Sequence, residues 1–276
     1  MNRRTLSQAE HFLALHRPGE PLLLPNAWDV GSAKLFVALG FSALATTSSG
    51  FAATRGLLDG AVDEEAVLAH AADLVSVTDL PVSADLENGF AEDVAGVTRT
   101  IQAAVQIGLA GASIEDFTGD PDNPIYPLDV ARERVAAAAA AAHGEQGRLV
   151  LTARAENHLY GQGDLADTIA RLQSFVEAGA DVVYAPGLTD LADIRRVVTE
   201  VGVPVNVLTR NGGPTVPELA DAGVARISVG GAFAFVGLAA VAEAARELLG
   251  SGTVGFTEEA GRGAALAQDV FGSNHS

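Results

Sequence analysis

The stretches Ser83-Ala84-Asp85-Leu86-Glu87-Asn88-Gly89 and Ala112-Ser113-Ile114-Glu115-Asp116 decide how the fold is read. Each is a run of small or β-branched residues that ends abruptly in acids. Strands that are apolar along their length and acidic only at the C-terminal tip suit the catalytic face of a parallel α/β barrel, where carboxylates gather around a hard cation. Arg154 and Asn206, on two later strands, extend the pattern. Together they point to a metal-dependent enzyme acting on a small anionic substrate.

Outward from these stretches, eight strand-like runs alternate with helices. The strands are expected at residues 22–28, 42–47, 81–85, 111–115, 149–154, 181–185, 204–208 and 226–229. Most are apolar on both faces, as parallel strands covered by helices must be. Helices are expected at 30–39, 64–77, 93–107, 128–143, 165–178, 188–201 and 215–222, and six of them run into a glycine at their C-terminus, as at Leu39-Gly40 and Ile107-Gly108, the usual left-handed stop. Eight strand–helix units in strict alternation predict a single (β/α)8 barrel spanning residues 1–276, and no Gly-x-Gly-x-x-Gly turn follows the first strand to favour an open dinucleotide-binding sheet. The segment 233–276 adds helices at 233–249 and 257–270, and a frayed tail is expected over 271–276.

Hydrophobic residues make up 48% of the 276, enough for a large core. Seventeen basic residues stand against 35 acidic ones, a formal −18. Such a surface disfavours nucleic acid and anionic membranes, and it repels an anionic substrate unless a divalent cation and local arginines reverse the field at the site. There is no cysteine, hence no disulfide, thiolate zinc site or thiol nucleophile. The first residues lack a signal-peptide pattern, and no apolar run approaches the roughly 20 residues of a membrane span. The expectation is a cytoplasmic protein.

Asp85 and Glu87 alternate, so an extended chain points both to one side. Glu115 ends the next strand. Mg2+ takes octahedral oxygen ligands and keeps several waters, so two or three carboxylates plus substrate oxygens suit it, whereas zinc is disfavoured because no histidine accompanies the acids. Arg154 ends a buried strand and needs an anion, either a substrate carboxylate or phosphate or an internal acid. Asn206, polar within an apolar strand, must bond a ligand or a neighbouring strand. Thr209 and Arg210 follow it as candidates for a second acidic group. Ser48, Ser49 and Gly50 in Thr46-Thr47-Ser48-Ser49-Gly50 form a candidate carboxylate cradle or an ordinary turn. Gly230-Gly231 carries a weak suggestion of phosphate binding. His11, His16, His70, His143 and His275 read as surface or helix-end residues, and the role of His158 stays open.

With these residues in view, the chain resembles the isocitrate lyase/phosphoenolpyruvate mutase superfamily from Leu24-Pro25-Asn26-Ala27-Trp28-Asp29 to Gly230-Gly231. The resemblance is carried by the Ser-Ser-Gly cradle followed by Gly56-Leu57-Leu58-Asp59, by Ser83 to Gly89, and by Ile114-Glu115-Asp116, Ala153-Arg154 and Pro204-Val205-Asn206. It implies a Mg2+ site of Asp85 with Glu87, Glu115 and Asp59, some through water. It also implies a 2-oxo acid whose carboxylate rests on Ser48, Ser49 and Gly50 and is clamped by Arg154, in a homo-oligomer (dimer or tetramer) that exchanges a C-terminal helix, here 233–249. One departure stands out. Members that cleave isocitrate-like acids carry a Lys-Lys/Arg-Cys-Gly-His loop, whereas here residues 117–126 read Phe-Thr-Gly-Asp-Pro-Asp-Asn-Pro-Ile-Tyr. That loop is expected to be mobile and to close over the ligand. Asn123 is the candidate counterpart of an asparagine in phosphoryl-transferring members, and Tyr126, or a metal-held water, is the candidate proton donor.

The leading expectation is a Mg2+-dependent lyase or decarboxylase acting on a small 2-oxo or 2-hydroxy carboxylate through a metal-stabilised enolate, with Arg154, Glu115 and Tyr126 as catalytic residues. The alternatives are a phosphonopyruvate-type P–C mutase or hydrolase, and a barrel that binds 2-oxo acids with little turnover.

Overall fold

The computed structural model describes residues 7–144 and 148–272. The strands are β1 (Leu22–Leu24), β2 (Asn26–Ala27), β3 (Leu44–Thr46), β4 (Val82–Asp85), β5 (Gly111–Glu115), β6 (Val150–Arg154), β7 (Val182–Tyr184), β8 (Val205–Leu208) and β9 (Arg226–Ser228). All pair in parallel, in the order β1-β9-β8-β7-β6-β5-β4-β3-β2. The ends of that order meet in the chain: β1 and β2 are halves of one stave, divided at Pro25. Proline has no N–H to give a ladder, so the stave changes partner there. Leu22 to Leu24 pair with β9, Asn26 and Ala27 pair with β3, and the Pro25 carbonyl accepts from Ala45 N–H at 2.9 Å. Eight staves thus close into the expected barrel.

The helices are α1 (Gln8–Ala14), α2 (Val30–Ala38), α3 (Ser48–Thr54), α4 (Glu64–Ser76), α5 (Val94–Ile107), α6 (Leu128–Ala142), α7 (Leu165–Glu177), α8 (Leu191–Val201), α9 (Val216–Asp221), α10 (Ala232–Gly250) and α11 (Thr257–Gly272). Between the staves and this outer ring lies the main core, with Leu44, Leu74, Leu151, Leu172 and Phe175 fully buried. Most helices start on a side-chain cap, such as Asp93 for α5 and Asp190 for α8, which satisfies an orphan N–H of the first turn.

Two helices lie outside the sequence expectation. α1 is capped by a Ser7–Glu10 capping box and pushes the fully buried Phe12 into the barrel floor beside Leu22, Leu24, Val150 and Val182. Gly111 makes room for it, since a Cβ there would stand 2.7 Å from the Phe12 ring. α3 begins within the supposed turn at Ser48, capped by Thr47. The histidine expectation is corrected at two positions. His16 sits under the barrel and His70 stacks on Phe51 with ring centroids 4.0 Å apart, and both are buried. Phe271, expected in a frayed tail, lies in α11, while 273–276 and His275 fall outside the described residues.

α10 is unusual in burying none of its residues although its sequence is largely apolar. Val236, Leu238, Val241 and Leu249 are all more than half exposed. No helix among the described residues is long and apolar enough to cross a membrane.

Candidate active site

Asp85, Glu115 and Arg154 are the last residues of β4, β5 and β6, so the barrel itself brings them together. Arg154 is the hub. Its Nη1 lies 2.9 Å from Asp85 Oδ1, its Nη2 3.0 Å from Glu115 Oε2 and its Nε 2.8 Å from Glu156 Oε1. The ring of Tyr184 lies 5.3 Å below the guanidinium carbon. Of the two Arg154 alternatives left open by the sequence, the structure shows the internal one: its partners are three acids. Three of its five N–H groups are spent on them, which leaves two for a ligand.

Glu156 is a site residue that sequence reasoning missed. Two positions beyond Arg154 on an extended chain, it faces the same side, the same spacing that singled out Asp85 and Glu87. Asp116 points the other way from Glu115. It accepts from the Glu156 N–H at 2.8 Å and pairs with Arg171 of α7 at 3.2 Å, anchoring the mouth to the helix layer.

The Asp85 carboxylate also accepts from Ser48 Oγ at 3.1 Å, and the Asp85 N–H donates to Thr46 Oγ1 at 2.8 Å. Ser48, expected under a substrate carboxylate, thus places its hydroxyl on an acid, and Asn206 meets the neighbouring strand, donating to Ser228 Oγ at 3.0 Å. Gly50 gives its N–H to Thr47 Oγ1 at 3.3 Å. Its lack of a side chain serves packing, because a Cβ would meet Thr47 at 2.6 Å and Ala234 of α10 at 3.3 Å.

After β4 the chain turns sharply. Glu87 and Phe90 adopt positive φ of 46° and 52°, conformations that cost a non-glycine residue on the order of 1–3 kcal/mol and persist only where the surroundings impose them. Arg134 of α6 imposes this one, donating to the carbonyls of Asn88, Ala91 and Glu92 at 2.6–2.9 Å. Tyr126 lies against that same guanidinium, 4.6 Å from its ring centroid.

A cavity of about 180 Å³ opens at this end of the barrel, lined by Ser48, Ser49, Asp59, Asp85, Arg154 and Asn206 among the expected residues. Gly50, Asn123 and Tyr126 are not among its lining. Glu87 and Glu115 are absent from the lining too, and are coupled by charge to Asp85 and Arg154, which line it. The 117–126 loop is folded back on itself by a Phe117–Ile125 bridge, and Phe117 stacks on Tyr160 at 4.2 Å. Arg210 is exposed.

The electrostatics follow from five carboxylates around one guanidinium. Burial, followed by Asp85 and Asp59, pushes Glu87 up to about 7. Burial raises Asp59 as well, with a further push from Asp85, while a Ser48 hydrogen bond and Arg154 pull the other way. Glu115 is raised by burial against the pull of Arg154. Burial works against the charge on Arg154, yet Glu156, Glu115 and Asp85 outweigh it and hold the guanidinium charged. Among the described residues no three such side chains form a ready cage for a metal. Mg2+ does not require one: it is usually held by one or two carboxylates and retains waters. A mouth in which burial, and with it the charge of neighbouring acids, makes Asp59 and Glu87 hard to ionise suits such an ion.

A family model described as phosphoenolpyruvate phosphomutase matches residues 12–249. A solved structure from Burkholderia cenocepacia, described as a putative lyase/mutase, superposes with a TM-score of 0.87 at 50% identity and covers 91% of each chain. An uncharacterized protein of Mycobacterium tuberculosis is 34% identical over 237 residues, 85% of this chain and 87% of its own. The 2-methylisocitrate lyase of Escherichia coli is 29% identical over 235 residues, covering 77% and 78%.

Proposed function

Because the chain belongs to the phosphoenolpyruvate phosphomutase family, we propose that it is a Mg2+-dependent carbon–carbon lyase for a small 2-oxo or 2-hydroxy carboxylate. The observation that carries this reading is the Arg154 guanidinium bound to acids from three adjacent staves at the edge of a small cavity. The cavity volume is below the roughly 300–1,000 Å³ of drug-sized pockets, so it suits a short acid.

Asp85, with Asp59, Glu87 and Glu115 directly or through water, would hold the ion. When bound, Mg2+ supplies Lewis acidity to the oxo and carboxylate oxygens of the substrate. The protein's own residues do the rest. Arg154 offers its two remaining N–H groups to a substrate carboxylate, and the acids behind it fix the fork in place. Ser48 and Ser49, the first residues of α3, line the same wall. Breaking the C–C bond leaves an electron pair that must take up a proton. Neither Tyr126 nor Tyr160, which stacks on Phe117, is among the residues lining the cavity, so a metal-held water is the proton donor this reading favours.

The test is a panel of oxaloacetate, malate-type acids and phosphonopyruvate with saturating Mg2+, read by product chromatography and phosphorus NMR. Carbon–carbon cleavage of at least one carboxylic acid is the expected result. Turnover of phosphonopyruvate alone would overturn the lyase reading in favour of P–C chemistry. Tight Mg2+-dependent oxalate binding without turnover of any acid would leave a binding barrel.

The same reading includes a homo-oligomer. An apolar helix that meets its own barrel through its first turn and leaves Val236, Leu238, Val241 and Leu249 more than half exposed calls for a partner surface, and a second copy docked through α10 supplies it. Light scattering should give a mass of two or four chains, falling to one in Val241→Asp. A monomeric unmodified protein would refute this assembly. The absence of cysteine agrees with a cytoplasmic location.

A further inference from the structure

Arg226 opens β9 and lies inside the barrel, 4% exposed. Its partners are three neutral groups: Asn206 Oδ1 at 2.9 Å, Thr152 Oγ1 at 3.1 Å and His16 Nε2 at 3.3 Å. His16 Nδ1 lies 2.8 Å from the Phe12 carbonyl. The imidazole proton therefore sits on Nδ1, and Nε2 presents its lone pair to the arginine. Burial, and then Arg226 itself, depress His16 to about 3, so the histidine is neutral. Among the described residues Arg226 forms no ion pair, whereas Arg154 forms three.

A buried guanidinium without a counter-ion is costly. Burial lowers its pKa only to about 10, so it keeps its charge at neutral pH. The charge also has space in front of it. Barrel interiors are commonly filled by bulky branched residues, but here Ala45, Ser83 and Ser113 line the cavity from β3, β4 and β5. Arg154 ends its strand and Arg226 begins one, so the first stands at the mouth of this cavity and the second deeper. Both line it. The mouth is crowded with acids, while the depth carries a cation that no acid neutralises. An anion entering from solvent finds its unmet partner below.

We propose that Arg226 receives the distal carboxylate of a dianionic 2-oxo acid whose oxo-acid end is held at the mouth, so that the protein selects dicarboxylates over monocarboxylates of equal length. This inference rests on the 2-oxo-acid reading above and supplies the substrate's far end. Asn206 takes a positioning role, since its Oδ1 holds Arg226 Nε and its Nδ2 is tied to Ser228.

Calorimetry in saturating Mg2+ tests it with two length-matched pairs, oxaloacetate against 2-oxobutyrate and 2-oxoglutarate against 2-oxopentanoate. A charged hydrogen-bonded pair predicts a preference of about ten- to hundredfold for the dicarboxylate in the pair that fits. Arg226→Met should erase that preference by weakening the dicarboxylate. Asn206→Asp serves as a second variant that retains the arginine and the side-chain shape, and it should erase the preference by giving Arg226 an internal acid. Arg226→Lys should restore part of it. Thermal melts confirm that each variant is folded. A preference that survives both Arg226→Met and Asn206→Asp, or its absence from the unmodified protein, overturns the proposal and leaves the 2-oxo-acid reading standing. Failure of all four acids to bind the unmodified protein removes both.

Discussion

Arg154→Met should destabilise the protein by about 3–5 kcal/mol and reduce turnover below detection. The size follows from what the substitution leaves behind. Asp85, Glu115 and Glu156 lie within 3.0 Å of the guanidinium, and removing one side of a buried ion cluster strands the other. Against a total stability of about 5–15 kcal/mol, such a loss is severe. Its pH dependence has a definite sign. Glu115 and Glu156 are already raised by burial against the pull of Arg154, so without Arg154 they rise further. A carboxyl whose folded pKa exceeds its unfolded one favours folding while protonated and opposes it as pH climbs through the folded value. The deficit in urea unfolding should therefore be larger at pH 8 than at pH 5. A change under 1 kcal/mol at both values would show that the cluster is not the structural hub of the mouth.

Asp85→Asn should weaken Mg2+ binding by more than the roughly 10–100-fold typical of changes to residues that only support a metal ligand, with loss of turnover to match. The amide preserves shape, and its oxygen can still accept from Arg154 while its NH2 donates to Ser48 Oγ, but it offers the metal no charge. Calorimetric Mg2+ titration measures this directly. The pH dependence of the same titration reports on Glu87, raised to about 7 by burial and then by Asp85 and Asp59. In the unmodified protein Mg2+ must displace a proton from that carboxyl at low pH, so affinity should increase through pH 7. Metal-free stability should move oppositely. It falls as pH rises from the unfolded value of 4.5 through the folded value of about 7, because the protonated form is the one favoured in the fold. In Asp85→Asn one of the charges that raise Glu87 is gone, and the step in residual affinity should shift to lower pH. Unaltered Mg2+ binding would remove Asp85 from the ion's ligands.

The barrel was legible because eight apolar strands alternate with helices, six of which end at a glycine, and each local signal agrees with the others. The acids at Asp85 and Glu115 were legible because charge at the tip of an apolar strand is conspicuous. What escaped depended on distant contacts. α1 has only seven residues, too short to announce itself, and it is fixed by Phe12 filling the space over Gly111. The division at Pro25 was written in the sequence, but only closure of the ring makes it a change of partner. Arg226 was a charge within an apolar strand, the same signal as Asn206, and the two turn out to be bonded to one another. The internal order of the loop ending in Tyr126 also escaped: Thr118 donates to the Pro124 and Asn123 carbonyls at 2.8 and 2.7 Å, a closure that its composition does not announce.

The first turn of α10 abuts the wall of the cavity. Ala234 faces Gly50, and a side chain on Gly231 would collide with both Phe235 and Ser49 Oγ at 2.6 Å. In the proposed oligomer a neighbour docked on α10 would hold a helix whose first turn meets Gly50, next to Ser49 of the cavity wall, so that assembly and the shape of the entrance would be linked.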